Sequence, residues 1–199
     1  TFDYAQVSLT KGLTPMSLGP NTIGGSINLV SFQPTDNINV RAITGLASGN
    51  TYEYGVNAGS RRDKFFAQAS YYERHTEYFT LSHSYQPTTY QSDRRRDNSY
   101  SDFQKVNLKI GYLAAPGQEF TLNYQYQNNA KGNPPYSGSD DKQSARFWQW
   151  PVWERQSLYF ISKNSINTNN YVKTSIYADK FYNVMESYDD QSYTTQNKK

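Results

Sequence analysis

The sequence predicts an all-β protein whose strands form part of a transmembrane antiparallel β-barrel. Apolar and polar residues alternate along about seven segments, which is the period of a strand with one apolar face. Aromatic residues make up 16% of the 199 residues, and aromatic rings favour pleated sheets and membrane interfaces. The segments between the predicted strands are alternately short and long, as are the turns and loops at the two ends of such barrels.

Composition alone is typical of a polar, soluble domain, because the mean hydropathy is -0.88 and the formal net charge is +3. The sequence contains no run of the roughly 18 apolar residues that a transmembrane helix needs. A transmembrane strand needs only about 9 to 11 residues, every second one apolar. The composition is therefore compatible with a barrel. Cysteine is absent, which excludes disulfides and thiol chemistry.

The first three predicted strands follow one another through short connections. Every second residue of 38–46 is apolar or threonine, which predicts the first strand. A tight turn at 48–50 leads to a second strand over 52–58. A charged turn at 61–64 leads to a third strand over 65–71.

Four more strands are predicted after a long polar segment at 75–102. The fourth covers 106–112, and the fifth, at 120–126, has the clearest alternation. After a second long polar segment at 128–155, the sixth covers 158–166. The last predicted strand covers 172–178.

The connections also predict the orientation of the barrel. Turns at 61–64, 114–118 and 167–170 are short, whereas the segments at 75–102 and 128–155 are long. In outer-membrane barrels the short turns are periplasmic and the long loops are extracellular. The long segments are therefore expected outside the cell.

Alternation in the fifth strand predicts which side chains meet lipid. Asn123 and Gln125 are expected to face the lumen, because an amide in hydrocarbon would lack hydrogen-bond partners. Their neighbours Phe120, Leu122, Tyr124 and Tyr126 are then expected to face lipid. Aromatic residues near strand ends predict two girdles at the membrane interfaces: Phe65, Tyr112, Phe120 and Tyr171 near the turns, and Tyr52, Tyr72, Tyr126 and Tyr177 near the loops.

A glycine-punctuated segment precedes the first barrel strand. A short strand at 7–12 ends in Lys-Gly, and a Gly-Gly pair precedes an apolar strand that ends at Val30. Glycine permits positive φ and close approach of two backbones, which suits a small domain packed against a wall. This motif resembles the end of the plug domain in TonB-dependent outer-membrane receptors. Its residues are Lys11, Gly12, Gly19, Gly24, Gly25 and Asn28, and Pro34 closes it.

The resemblance implies two domains, with the C-terminal end of a plug at 1–34 and the N-terminal part of a barrel at 35–199. Plugged outer-membrane transporters have 22 strands, and seven strands cannot close such a barrel. The chain is therefore expected to be a fragment of a larger receptor.

The resemblance also implies a function, which is energy-coupled uptake of a scarce solute, most commonly a ferric siderophore. The energy would come from the inner-membrane TonB complex, through a Ton box upstream of residue 1. Haem, cobalamin, another metal chelate or a glycan are alternative solutes. A non-transport barrel that serves as an adhesin or structural protein is a second class of explanation. A soluble β-sandwich is a third, but it would have loops of similar length at both ends.

The candidate binding residues lie in the two long segments. The run 94–96 consists of three arginines near tyrosines, and guanidinium groups beside aromatic rings suit anionic, planar ligands. A solvated charge run, or one that holds lipopolysaccharide phosphates, is the alternative. Three tryptophans within 148–153 need cover from a ligand or from the membrane interface, and Trp153, next to a strand, is expected at that interface. The candidate ligand contacts are Tyr90, Arg94, Arg95, Arg96, Tyr136, Trp148 and Trp150.

The sequence carries no pattern of catalytic residues. A nucleophile elbow, a phosphate-binding loop and paired catalytic carboxylates are all absent from it. His75 and His83 lack spaced partner ligands and are expected to be solvent-facing, and the Asp-Asp pairs at 140–141 and 189–190 lack the spacing of a calcium loop. We therefore expect a non-enzyme with no cofactor and no metal. Its expected partners are membrane lipid, lipopolysaccharide, the TonB complex and a small solute, but not nucleic acid.

Overall fold

The computed structural model describes residues 3–13, 24–35, 37–138 and 144–196, and the regular elements in these ranges are all β-strands. None of these residues forms a helix that is long and apolar enough to span a membrane. The strands are β1 (Tyr4–Lys11), β2 (Gly25–Ser31), β3 (Asn39–Ala47), β4 (Thr51–Arg62), β5 (Phe65–Thr76), β6 (Phe79–Thr80), β7 (Arg95–Arg96), β8 (Ser101–Ala115), β9 (Gln118–Asn133), β10 (Phe147–Ser165) and β11 (Tyr171–Tyr188).

Seven of these strands form one antiparallel sheet in the order β11-β10-β9-β8-β5-β4-β3. Strands that follow one another along the chain are neighbours, apart from the short β6–β7 pair in the segment between β5 and β8. The sheet does not close on itself. The predicted all-β class is confirmed, with up-and-down strands that form part of a barrel wall.

The two ends of the sheet differ in their connections. We call one the turn end, where 63–64, 116–117 and 166–170 join strands, and the other the loop end. At the turn end, Leu113 N donates to Lys64 O at 2.7 Å, and β8 then continues past that turn to Ala115. In the same way, β10 continues past the turn at 116–117, where Ser165 N donates to Gly117 O at 2.9 Å. Each hairpin along the chain therefore extends further beyond the turn end than the one before it. Such a stagger accompanies the tilt of strands in a barrel.

The β1–β2 hairpin lies against one face of the sheet, which we call the hairpin face. Lys109 Nζ donates to Phe32 O at 2.7 Å, and Gln33 Nε2 donates to Glu119 Oε1 at 3.3 Å. As the alternation predicts, Asn123 and Gln125 line this face, beside the hairpin. Their neighbours in β9, Phe120, Leu122, Tyr124 and Tyr126, point to the opposite face.

Aromatic rows lie on the opposite face. At the turn end, Phe65 stacks on Tyr112 at 4.8 Å and Tyr112 on Phe120 at 6.5 Å, with all three in register. Tyr54 contacts Tyr71 at 6.0 Å nearer the loop end. Three residues expected in the girdles instead lie on the hairpin face, because strand alternation turns them inward: Tyr72 against Phe103, Tyr177 against Tyr159, and Tyr171 below Lys163.

The strands extend further towards the loop end than the sequence predicts. β8 begins at Ser101, β9 continues to Asn133, β10 begins at Phe147 and β11 continues to Tyr188. Much of the predicted loop at 128–155 is therefore strand, and the true connection is 134–146. Pro151 lies within a bulge of β10, where the register shifts against both neighbouring strands. A bulge accommodates proline because it interrupts the ladder of hydrogen bonds.

Phe66 and Gly111 form a close pair on the hairpin face. The two residues are directly opposite in the ladder of β5 and β8, and Phe66 is only 3% exposed. A Cβ on Gly111 would lie 2.0 Å from Phe66 Cε1. The ring therefore packs on a backbone that has no side chain of its own.

Candidate functional site

A cavity of about 440 Å³ lies on the hairpin face near the loop end, between the start of β1 and the wall. Strands β5, β8 and β9 form the wall, and the residue before β1 forms part of the floor. The lining of the cavity combines cationic side chains with aromatic rings. The residues that line it are Asp3, Tyr4, Tyr72, Arg74, Thr76, Phe79, Ser101, Phe103, Lys105 and Gln127.

The floor of the cavity is an ion pair in contact with an aromatic ring. Lys105 Nζ lies 3.0 Å from Asp3 Oδ2, and the two side chains are 11% and 4% exposed. The same ammonium donates to the Tyr4 hydroxyl at 3.2 Å and lies 4.7 Å from the ring centre. These contacts fix Lys105 and attach the hairpin to β8.

The walls of the cavity present aromatic edges and a second cation. Tyr72 meets Phe103 edge to face at 5.8 Å, and its hydroxyl donates to Glu53 Oε2 at 2.6 Å. Arg74 is exposed and lines the same cavity. A guanidinium group beside aromatic rings attracts anionic groups and stacks on planar ones. The cavity therefore suits an anionic, planar solute.

A tryptophan row continues this wall across β10. Trp148 and Trp150 are 6.1 Å apart, and Trp150 and Trp153 are 6.4 Å apart. Trp153 is opposite Asn129, which is itself opposite Phe103. The tryptophan row is therefore continuous with the cavity wall on the hairpin face.

The bulge of β10 brings the tryptophans to one face. Residues three apart in a regular strand point to opposite faces, so Trp150 and Trp153 would be separated without the extra residue near Pro151. Trp153 is two residues from Arg155, which lines the hairpin face. The expectation that Trp153 meets the membrane interface is thereby corrected, because its ring points to the hairpin face.

The indole rings hold cations. Lys131 Nζ lies 5.1 Å from the ring centre of Trp150 and 4.7 Å from that of Trp153, and Arg146 lies 4.8 Å from Trp148. Cation–π contacts of this kind contribute roughly 0.5 to 2 kcal/mol each. The tryptophans thus act as a scaffold that presents positive charge along the hairpin face.

The three arginines at 94–96 do not form one site. Arg94 Nε donates to Leu81 O at 3.4 Å, and Arg95 lies 5.0 Å from the ring centre of Tyr78. Arg96 donates to Gln91 Oε1 at 2.7 Å and to the carbonyl of Pro135. Arg96 therefore joins the segment 77–100 to the connection 134–146 and is half-buried between them.

Gln91 and Asn98 complete this junction between the two segments. Gln91 is fully buried and donates to Asp93 O and Arg95 O, each at 2.8 Å. Asn98 Nδ2 donates to Asn133 O at 2.9 Å and to Trp148 O at 2.8 Å. The segment 77–100 is thereby held against the ends of β9 and β10.

The two candidate tyrosines, Tyr90 and Tyr136, lie outside the strands. Tyr90 contacts Phe147 edge to face, with 5.6 Å between the ring centres. Phe147 and Trp148 are neighbours in β10 and point to opposite faces of the sheet, so Tyr90 does not contact the face that carries Trp148. Tyr136 is half-buried in the connection 134–146. Near Tyr90, burial raises the pKa of the Asp97 carboxyl, which accepts from Gln191 Nε2 at 2.8 Å.

The residues of the plug-like motif lie where β1 and β2 meet. Lys11 is opposite Gly25 and Asn28 is opposite Ser8, and Gly12 N donates to Gly24 O at 3.3 Å. Gly25 has φ of 140°, and a Cβ there would lie 2.4 Å from Thr10 O. Only glycine fits this position. Gly19 lies outside the described residues.

Metal-binding candidates do not assemble in the described part of the chain, where no group of three His, Cys, Asp or Glu residues lies together. His75 Nδ1 is 2.5 Å from Asp102 Oδ1 on the opposite face, and His83 lies beside Arg94. Asp190 accepts from Ser192 N at 2.8 Å, and hydrogen bonds from Ser192 keep its pKa below the usual range. Residues 140–141 lie outside the described ranges.

Sequence reasoning missed five residues of this wall: Arg74, Phe103, Lys105, Lys131 and Arg146. Lys131 and Arg146 lie in the stretch 128–155, which was predicted as loop, and the other three lie at or just beyond the ends of predicted strands. Alternation of Phe103 and Lys105 with their neighbours was the available signal, but the polar residues on both faces concealed it.

No family model and no curated protein matches the chain. The fold is similar to that of the FrpB iron transporter from Neisseria meningitidis (F3-3 variant), with a TM-score of 0.70 and 17% sequence identity. The alignment covers 94% of this chain and 30% of that one, so the chain spans less than a third of the length of the solved protein. At this identity the similarity concerns the fold.

Proposed function

We propose that this chain is part of a TonB-dependent outer-membrane receptor and that its solute is a ferric siderophore. Residues 1–34 are the C-terminal end of the plug, and residues 35–199 are the N-terminal part of a 22-stranded barrel. The sheet edges at β3 and β11 pair with further strands of the complete polypeptide.

The observation that carries the proposal is a small hairpin bound to one face of a barrel-like wall. The hairpin contains the plug-like motif and is attached to β8 through Asp3–Lys105 and Lys109–Phe32. In a plugged receptor the wall surrounds the plug, so the hairpin face is the lumen and the opposite face meets lipid.

The distribution of apolar and polar side chains over the two faces of the sheet supports a membrane location. The opposite face exposes Leu108, Ile110 and Leu122 between the aromatic rows, whereas the hairpin face carries Asn107 and Asn123. An apolar band flanked by aromatic girdles outside and polar residues inside is the pattern of an outer-membrane barrel. The turn end is then periplasmic, and the loop end meets lipopolysaccharide.

Chemistry of the lumen wall supports an anionic solute. Arg74, Lys131 and Arg146 present positive charge beside Phe103 and the tryptophan row. Ferric siderophores commonly combine negative charge with planar iron-binding groups, which such a surface accommodates. The similarity to the FrpB iron transporter supports iron as a component of the solute. Energy comes from the TonB complex through a Ton box upstream of residue 1.

Uptake assays with the complete receptor test the proposal. Cells that depend on this receptor would be supplied with catecholate, hydroxamate or carboxylate chelates of radiolabelled iron, and with haem, cobalamin and an oligosaccharide as alternatives. Phe103→Ala should raise the half-saturation concentration roughly fivefold, because an aromatic contact is worth about 1 kcal/mol. Gln104→Ala is the matched control, since Gln104 is adjacent but on the opposite face.

Three results would count against the proposal. Uptake that persists after the proton gradient is collapsed would exclude TonB coupling. Transport of only haem, cobalamin or the oligosaccharide would replace the solute. Surface adhesion without uptake of any of these compounds would favour the adhesin alternative.

A further inference from the structure

An apolar groove of about 530 Å³ lies at the turn end of the sheet, on the face opposite the hairpin face. It is distinct from the cavity beside the hairpin. Its side walls are Phe65, Ile110, Leu122 and Phe160, of which Phe65 and Ile110 are 63% and 58% exposed. Such exposure of large apolar side chains needs an apolar partner.

Small residues between large ones account for the groove. Ser60 and Ala67 are opposite each other in β4 and β5, and Ala67 is opposite Ile110, which is opposite Leu122. Two small side chains next to two large ones leave a depression along the row. Flexible acyl chains fill such depressions on a lipid-facing wall.

The depth of the groove in the bilayer follows from the aromatic row. Phe65 and Tyr112 border the groove on its turn side, and stacked aromatic rings mark the boundary between headgroups and hydrocarbon. Ile110 and Leu122 lie one row further from the turns. A chain in the groove therefore starts at headgroup depth and runs into the hydrocarbon.

Positive charge lies at the headgroup end of the groove. Arg62 lines the groove and is directly opposite Phe65 in the ladder, so its backbone is level with the aromatic row and its long side chain starts at headgroup depth. Lys64 follows in the turn, where its Nζ donates to Ala114 O at 2.9 Å. The two cations flank a single anion, Asp63, so this stretch carries a net positive charge.

We infer that this groove binds one anionic glycerophospholipid from the periplasmic leaflet, with an acyl chain along Ala67 and Ile110 and the phosphate at Arg62. The inference rests on the proposed function, because it requires this face to meet the bilayer. Apolar lining at hydrocarbon depth and a guanidinium at phosphate depth are complementary to the two parts of such a lipid.

Native mass spectrometry of the complete receptor tests the inference. The protein would be released from nanodiscs of phosphatidylglycerol and phosphatidylethanolamine, and the lipid that stays bound would be counted. Wild type should retain one phosphatidylglycerol. Ala67→Phe should lose it, because the ring fills the groove, whereas Ala69→Phe, on the same face but outside the groove, should keep it.

Arg62→Gln tests the headgroup contact in an exposed position where folding is not at risk. Retention of phosphatidylglycerol should fall about fivefold, the effect of one basic residue at a membrane surface. Retention of phosphatidylethanolamine should fall less, because its ammonium group already balances the charge of the phosphate that Arg62 contacts. Equal retention by Ala67→Phe and Ala69→Phe, or no change in Arg62→Gln, would overturn the inference.

Failure of the proposed function has a different signature. If this face does not meet lipid, the wild-type protein and all three variants fail to enter the nanodiscs. If only the lipid site is wrong, nanodisc insertion and chelate uptake remain normal in all variants. Lipid retention is then the same whether or not the substitution lies in the groove.

Discussion

Asp3 and Lys105 form a nearly buried ion pair that joins the hairpin to the wall, with 3.0 Å between Oδ2 and Nζ. Removing one partner of a buried pair typically costs 3 to 5 kcal/mol, far more than breaking an exposed pair. Asp3→Asn should therefore weaken the attachment of the hairpin by roughly 3 kcal/mol. Hydrogen exchange in the complete receptor would measure it as faster exchange of β1 and β2 amides.

Asp102→Asn is the control for the ion pair. Asp102 lies in β8 on the opposite face, is half-exposed and contacts His75 rather than the hairpin. Its replacement should leave the exchange of β1 and β2 unchanged. Similar exchange in the two variants would mean that other contacts hold the hairpin.

A charge at Leu122 should destabilise the barrel more than a charge at Gln125. Leu122 lies one row inside the aromatic row at the turn end, so Leu122→Arg is expected to cost about 1 to 2 kcal/mol, between the costs at the interface and at the bilayer midplane. Gln125 is a better lumenal comparison than Asn123, because Asn123 Nδ2 donates to Asn107 Oδ1 at 2.6 Å in a buried site. The unfolding free energies of the two arginine variants of the complete receptor in vesicles would measure the two costs. Equal costs at positions 122 and 125 would contradict the assignment of Leu122 to the lipid-facing side.

Cysteine labelling in intact cells should distinguish the two ends of the sheet. The chain has no cysteine, so each introduced thiol is unique. Ser92→Cys, in the segment before β7, should react with a membrane-impermeant maleimide, whereas Thr168→Cys, in the turn before β11, should react only after permeabilisation. The reverse result would invert the proposed orientation.

Arg96 should matter for the structure of the loops, and Arg95 should not. Arg96 bonds both Gln91 and the Pro135 carbonyl, and a hydrogen bond to a charged group contributes about 1.5 to 3 kcal/mol. Arg96→Gln should therefore increase proteolysis within 77–100 at least about tenfold. Arg95→Gln should have little effect, and equal cleavage of both variants would refute this structural role.

Solute binding should depend differently on Lys131 and Trp150. Lys131→Gln should slow association and reduce its salt dependence, because exposed charges act mainly by steering. Trp150→Ala should instead speed dissociation, since ring contacts act after encounter. Stopped-flow binding of a ferric chelate would separate the rates. No effect of either change would move the binding site to other strands of the receptor.

Alternation in the sequence located the central strands and their faces but not their ends. Between Phe120 and Tyr126 one face is apolar, so the period is visible. Near Lys131 both faces are polar, because the strands continue beyond the apolar band, and pairing between neighbours rather than composition keeps them extended. Strand ends of this kind leave no periodic signal.

The sequence identified the three tryptophans, with Trp148 and Trp150 as candidate ligand contacts, but it placed Trp153 at the membrane interface rather than on the hairpin face. Facing in β10 depends on one extra residue near Pro151, and a single bulge reverses every side chain on one side of it. The sequence marks the bulge only by a proline. The sequence also identified Arg96 as a cation, but its hydrogen bond to the Pro135 carbonyl depends on the approach of two distant segments.

The packing of Phe66 on Gly111 makes two positions share one volume. A mutation to any larger residue at 111 meets the ring, and loss of the ring alone leaves bare backbone exposed, so neither position can change freely by itself. Tolerated evolutionary change would have to pass through paired substitutions. In related receptors we expect a glycine at one of these positions to accompany an aromatic residue at the other, and the two to covary.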